Sequence, residues 1–80
     1  MSGVRKRSLS IRGHSTSVSL EEPFWESLRE IATEARQPLA VLVAEIDARR
    51  GDDNLSSALR LHVLGHFRQR AVAVSSATPT

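Results

Sequence analysis

Eighty residues allow one small domain, and a core of this size rarely supplies more than about 3–5 kcal/mol. The chain has no cysteine, which excludes a disulfide and a thiolate metal site, so association between copies is the expected extra source of stability. The net charge of +2 is unevenly distributed: residues 1–20 carry +4, residues 21–50 carry −3 and residues 51–80 carry +1. A basic N-terminal part suits a polyanion such as nucleic acid, although a solvated basic terminus without a partner has the same composition.

Several classes of protein are not expected. No apolar segment approaches the roughly 20 residues that span a bilayer, and no apolar stretch of a secretory signal follows the basic first residues. We therefore expect a cytoplasmic protein that does not contact a membrane. The sequence has no nucleophile elbow, no glycine-rich phosphate loop and no zinc-ligand spacing, so neither an enzyme nor a cofactor is predicted.

Residues 8–20 alternate between polar and apolar side chains, but the parity changes at Gly13. The apolar positions are odd before this glycine and even after it: Leu9, Ile11, Thr16, Val18 and Leu20. A regular strand cannot bury both sets on one face. Gly13 therefore marks either a bulge or the end of a separate arm. We favour a basic flexible arm over residues 1–13 and one strand from about His14 to Leu20.

A single strand leaves its backbone N–H and C=O groups unpaired, and pairing with another chain satisfies them. The simplest arrangement is a homodimer in which two copies of this strand pair antiparallel. Its open face would carry Ser15, Ser17 and Ser19 from each copy. A two-stranded ribbon of this kind can enter the major groove of double-stranded DNA.

Three helices are predicted after the strand. The first begins near Glu22 or Pro23 and has an apolar stripe at helical spacing, formed by Phe24, Leu28, Ile31 and Ala35. Pro38 begins the second helix, which ends around residues 49–50. Gly51 is expected to end it in the left-handed backbone conformation. The third helix begins near Leu55, capped by Asn54 or Ser56, and ends near Arg70. The domain then covers residues 14–70, and residues 71–80 form a disordered tail.

The third helix is apolar on more than one side, which is typical of a helix held between partners. We expect it to brace the dimer or to bind another protein. His62 and His66 are spaced to face one metal ion, but no third ligand is evident and no metal site is predicted. Glu45 and Asp47 are expected to be exposed or to pair with an arginine such as Arg60.

Four blocks of the sequence, in order along the chain, resemble the ribbon-helix-helix domain family, and most closely a bacterial branch with an extra C-terminal helix. They are Thr-Ser-Val-Ser-Leu-Glu (16–21), Phe-Trp-x-x-Leu-x-x-Ile-Ala (24–32), Leu-Val-Ala-Glu-Ile-Asp (42–47) and Asn-Leu-Ser-Ser-Ala-Leu-Arg (54–60). The resemblance covers roughly residues 10–68. It implies a mostly α-helical, intertwined homodimer with one short β-strand per copy, a DNA-binding ribbon and a role in transcription regulation.

The resemblance and the charge pattern together define the expected sites. The expected DNA-binding residues are Arg5, Lys6, Arg7, Arg12, His14, Ser15, Ser17, Ser19 and Gln37. The expected dimer core consists of Val18, Leu20, Phe24, Trp25, Leu28, Ile31, Leu39, Leu42, Val43 and Ile46. Trp25 has a ring suited to stacking on a base, but its place in the first helix favours packing against the dimer or the third helix.

Two departures from the family pattern favour a second hypothesis. Typical relatives carry Arg, Lys, Gln or Asn on the outward face of the strand, whereas this chain has serine there, and serine discriminates bases weakly. Pro38 stands where a Ser or Thr often begins the second helix, and it lacks the hydroxyl and the N–H that bind phosphate. The alternative is an antitoxin-like or adaptor module that binds protein and has weak or no sequence-specific DNA binding.

Overall fold

The structure, a computed structural model, describes the backbone of residues 3–77 and the side chains of residues 3–72. It contains a β-hairpin followed by three helices. The elements are β1 (Val4–Ile11), β2 (His14–Glu21), α1 (Glu22–Glu34), α2 (Leu39–Arg49) and α3 (Leu55–Ala77).

The prediction of a single strand preceded by a flexible arm is wrong, because the N-terminal part of the chain forms a β-hairpin. Residues 4–11 form β1, which pairs antiparallel with β2 in a register that runs from Val4 opposite Glu21 to Ile11 opposite His14. Arg12 and Gly13 make the two-residue turn with φ angles of 52° and 81°, as a type I′ turn requires. The parity change at Gly13 is therefore the mark of this turn. The backbone of β2 is paired within its own chain and needs no second copy.

The helix boundaries follow the predicted signals closely. Pro23 lies in the first turn of α1, and Pro38 is the residue immediately before α2. Gly51, with φ of 61°, follows α2 as the expected left-handed residue. Asn54 caps α3, because its side-chain oxygen accepts a hydrogen bond from the backbone N–H of Ser57 at 3.3 Å.

The third helix is longer than predicted. It continues to Ala77 instead of ending near Arg70, so residues 71–77 are not a disordered tail. Neither glycine nor proline occurs between residues 71 and 77, so nothing local interrupts the helix, and Pro79 is the first such residue. The rest of the predicted tail, residues 78–80, lies outside the described residues.

The hydrophobic core lies between the inner face of the hairpin and the three helices. Its buried members are Ile11, Val18, Leu20, Trp25, Leu28, Ile31, Ala32, Leu42, Val43, Ile46, Leu59 and Val63. Eight of the ten residues expected in a dimer core are thus buried within one chain, and Phe24 and Leu39 pack against this core half-buried. The dimer itself stays a prediction. Within the described part of the chain, no helix combines the length and apolar character needed to cross a membrane.

Candidate nucleic-acid interface

The two faces of the hairpin differ sharply in chemistry. Residues directly opposite each other in the register share a face, and successive residues alternate between faces. The inner face holds Leu9, Ile11, Val18 and Leu20, which pack on the helices. The outer face, between the turn and the open end of the hairpin, carries Lys6, Ser8, Ser10, Ser15, Ser17 and Ser19. All of these are exposed except Ser19, which is half-buried.

The serines of the outer face stand in cross-strand pairs. Ser8 lies opposite Ser17, Ser10 lies opposite Ser15, and Lys6 lies opposite Ser19. The three serines predicted to face outward do so, and Ser8 and Ser10 join them from a strand that sequence reasoning missed. Their alternation with Leu9 and Ile11 was the available signal. Cross-strand pairing brings five hydroxyl groups and one ammonium group together on one chain.

Arg5 and Arg7 lie on the other face of β1, near the open end of the hairpin and the start of α1. The guanidinium groups of Arg5 and Arg7 come within 3.7 and 3.6 Å of the Glu22 carboxylate, and that of Arg29 comes within 3.5 Å. The indole of Trp25 is fully buried beneath them, and its Nε1 donates a hydrogen bond to the Arg5 carbonyl at 3.0 Å. Arg5 and Arg7, which were predicted to contact DNA, therefore lie on a surface separate from the serines. Arg29, which was not predicted to contact DNA, lies on the same surface as these two arginines.

The turn end of the hairpin carries Arg12 and His14, both exposed. They border an open cavity of about 500 Å³ between the hairpin and the α2–α3 loop. Arg50, on the opposite wall, binds the Asp47 carboxylate and the Asp53 carbonyl. Of the predicted contacts, Gln37 lies in another element, the α1–α2 turn, where its N–H bonds the Ala32 carbonyl at 3.0 Å.

Two side chains of α3, Ser56 and Arg60, form hydrogen bonds with the hairpin. The Ser56 hydroxyl donates to the Ser19 carbonyl at 3.1 Å, so this serine supports the ribbon while Asn54 acts as the cap. Arg60 binds the Glu21 carboxylate through Nε at 2.9 Å, and this hydrogen bond lowers the pKa of Glu21. Of the two alternatives for the carboxylates of α2, exposure holds for Glu45, whereas Asp47 binds Arg50 and neither of them pairs with Arg60.

The histidines of α3 face different neighbours. Burial lowers the pKa of His62, and the positive charges of Arg49 and His66 add to the effect, while Glu45 opposes it. His66 Nε2 lies 3.8 Å from the Glu34 carboxylate. Among the described residues, no three histidine, cysteine or acidic side chains gather as a metal site would require.

Comparison with known proteins gives two matches. The family model for the ribbon-helix-helix domain matches residues 4–67. The fold is similar to the solved structure of an uncharacterized protein from Bordetella pertussis Tohama I, with a TM-score of 0.71 and 32% sequence identity. That match covers 96% of this chain and 63% of the other, so the chain spans less than two thirds of its relative. A search of curated proteins gives no significant match.

Proposed function

Because this chain belongs to the ribbon-helix-helix domain family, we propose that it is a DNA-binding transcriptional regulator that inserts its hairpin into the major groove. Members of this family are typically DNA-binding regulators without enzymatic activity. The observation that carries the proposal is the outer face of the hairpin: residues 6–10 and 15–19 place five serines and one lysine there and no acid.

The dimensions of the hairpin suit this role. Neighbouring strands lie about 4.8 Å apart, and the major groove is about 12 Å wide. Serine hydroxyls are able to donate to base acceptors or to phosphate oxygens, so they fit both the floor and the walls of the groove. They give less discrimination between bases than a bidentate arginine or asparagine. We therefore expect Lys6 and Arg12 to contribute affinity and the serines to contribute a modest sequence preference.

Selection of bound fragments from a random DNA pool, followed by titration of the enriched duplex at two salt concentrations, tests this function. We expect an enriched site that binds far more tightly than scrambled DNA. Ser17→Ala should change the sequence preference modestly. Thr33→Ala, which removes an exposed hydroxyl from α1, is the matched control and should leave the sequence preference unchanged. Weak binding without an enriched sequence, lost at moderate salt, would contradict sequence-specific regulation.

A second candidate function is a protein-interaction module. It is favoured by the exposed apolar side chains of α3, where Leu61, Leu64 and Val72 are 62%, 51% and 65% exposed. A helix that leaves such residues uncovered is typical of a protein-binding surface. This candidate predicts a specific protein that co-purifies with the native chain and is lost in the Leu61→Glu variant. Recovery of the chain without such a protein would count against it.

A further inference from the structure

Three arginines converge on one carboxylate at the open end of the hairpin. Arg5 and Arg7 reach Glu22 from β1, and Arg29 reaches it from two turns further along α1. The nearest nitrogen-to-oxygen distances are 3.5–3.7 Å, longer than the roughly 2.7–2.9 Å of a charge-assisted hydrogen bond. The carboxylate therefore holds the arginines near one another without engaging them fully. We call Arg5, Arg7, Arg29 and Glu22 the arginine cluster.

The charge of the arginine cluster is not balanced from within. Among its four members, one carboxylate facing three guanidinium groups leaves a surplus of two positive charges, and the further acids Glu26, Glu30 and Glu34 line the surface of α1 beside Arg29. Each guanidinium has five N–H donors in a planar fork that matches the oxygens of phosphate. The side chains of Arg7 and Arg29 are 43% exposed and that of Arg5 is 72% exposed, so donors remain open to solvent.

The buried Trp25 holds the part of the arginine cluster that lies against the core. The Arg7 guanidinium lies over the Trp25 ring, 5.5 Å from its centroid. Trp25 is fully buried, and its indole N–H bonds the Arg5 carbonyl, so the ring and the backbone of β1 hold each other in place. Less side-chain entropy is lost when such a preorganised cation binds an anion.

We propose that the arginine cluster binds a phosphoryl oxyanion, and that this oxyanion is a phosphodiester of the DNA backbone beside the groove that the hairpin enters. The source of the phosphate rests on the proposed function. The surplus of positive charge and the fork geometry select a phosphate over a neutral or cationic ligand. Both strands of a two-stranded ribbon are edges, so the walls of an occupied groove lie along β1 and β2. Arg5 and Arg7 are carried by β1 on the face opposite the serines, so we expect them to meet a backbone phosphate at the wall and not the bases on the floor of the groove.

The test is the salt dependence of duplex binding by Arg29→Gln, a variant that keeps the hairpin and its outer face. Loss of one phosphate contact should reduce the slope of log affinity against log salt by about 0.9. Between roughly 50 and 200 mM salt the variant should lose about 3.5-fold less affinity than the unsubstituted protein. Arg68→Gln removes the same charge from exposed α3 and is the matched control. Equal slopes for the two variants would overturn the proposal.

A second variant separates a binding site from a purely structural ion-pair cluster. Glu22→Gln removes the carboxylate that competes for the arginines. If the cluster binds phosphate, duplex affinity should rise severalfold at low salt. If Glu22 serves only to anchor the arginines to α1, the same substitution should leave affinity unchanged or reduce it, which would contradict the proposal. Circular dichroism of both variants checks that the fold is retained.

Titration with inorganic phosphate distinguishes failure of the cluster from failure of the proposed function. Side-chain Nε–H resonances of Arg29 and Arg7 should shift with phosphate in the unsubstituted protein, and the Arg7 shift should weaken in Arg29→Gln. If the protein binds no duplex but shows these shifts, the cluster takes free phosphate and the DNA-binding function fails. Absence of both duplex binding and phosphate shifts overturns both proposals.

Discussion

At the scale of single residues, two arginines occupy backbone conformations that usually favour glycine. Arg12 has φ of 52° in the hairpin turn, and Arg36 has φ of 56° after α1. Around Arg36 the N–H of Gln37 bonds the Ala32 carbonyl and the N–H of Arg36 bonds the Thr33 carbonyl, the pattern of a Schellman motif. Neither position carries the glycine or asparagine that marks such turns in a sequence, so neither turn geometry could be predicted from residue type.

His62 is the residue whose environment predicts a pH effect. Its pKa is lowered from 6.5 in the folded protein, first by burial and then by the charges of Arg49 and His66, with Glu45 opposing. The unfolded chain then binds a proton at a higher pH than the folded chain does. The contribution of His62 to folding stability therefore rises with pH between the lowered pKa and about 6.5, and falls as the solution is acidified through that window.

We expect His62→Gln to make the free energy of unfolding less dependent on pH between about 5 and 7. Urea denaturation at several pH values measures this. His14→Gln is the matched control, since His14 is exposed at the hairpin turn and should leave the His62 effect in place. A pH dependence that is identical in the unsubstituted protein and the His62 variant would show that another group causes it.

At the scale of elements, the helices were predicted and the hairpin was missed, although the parity change at Gly13 was its signal in the sequence. Apolar spacing, Pro23, Pro38, Gly51 and Asn54 located the helix boundaries because each acts on its own neighbours. β1 was missed because its first residues, 4–8, are exposed and basic, which is the composition of a disordered arm. The Arg-Gly turn also lacks the Asn-Gly or Asp-Gly signature.

Substitution of Ile11 tests whether residues 4–11 form a strand packed on the core or a flexible arm. Ile11 is buried in the core, 4% exposed, at the turn end of β1. Ile11→Ala should reduce the free energy of unfolding by about 2–4 kcal/mol, the usual cost of removing a buried aliphatic side chain. Ser10→Ala, one residue earlier on the exposed outer face, should change it by less than about 0.5 kcal/mol. Urea denaturation compares the two, and an equally small effect of both would mean that residues 4–11 do not pack on the core.

The candidate site was predictable only where it depends on local alternation along one strand. The outward direction of Ser15, Ser17 and Ser19 follows from strand alternation alone and could be predicted. The arginine cluster could not, because it joins β1 to α1 through contacts between residues 15 and 17 positions apart. Strand alternation places Arg5 on the same face as Leu9 and Ile11, but its contact with α1 depends on how the hairpin packs on that helix, which the sequence pattern did not reveal.

At the scale of the whole molecule, the fold gives one chain a complete two-stranded ribbon and its own core. A second copy is therefore not needed to pair β2. It would serve instead to add stability to a domain of only 80 residues and to place two ribbons on one duplex. Family members typically form dimers, which favours the same arrangement here.

We expect the chain to be a dimer at micromolar concentration, measured by light scattering. The exposed Leu64 on α3 provides the substitution that locates the contact. If α3 joins the copies, Leu64→Glu should shift the protein towards monomer because it places a charge in an apolar interface, whereas Gln69→Glu, on the exposed surface of the same helix, should not. A folded monomer for the unsubstituted protein would contradict the dimer. The apolar face of α3 would then remain uncovered, which would favour the second candidate function, a binding surface for a different protein.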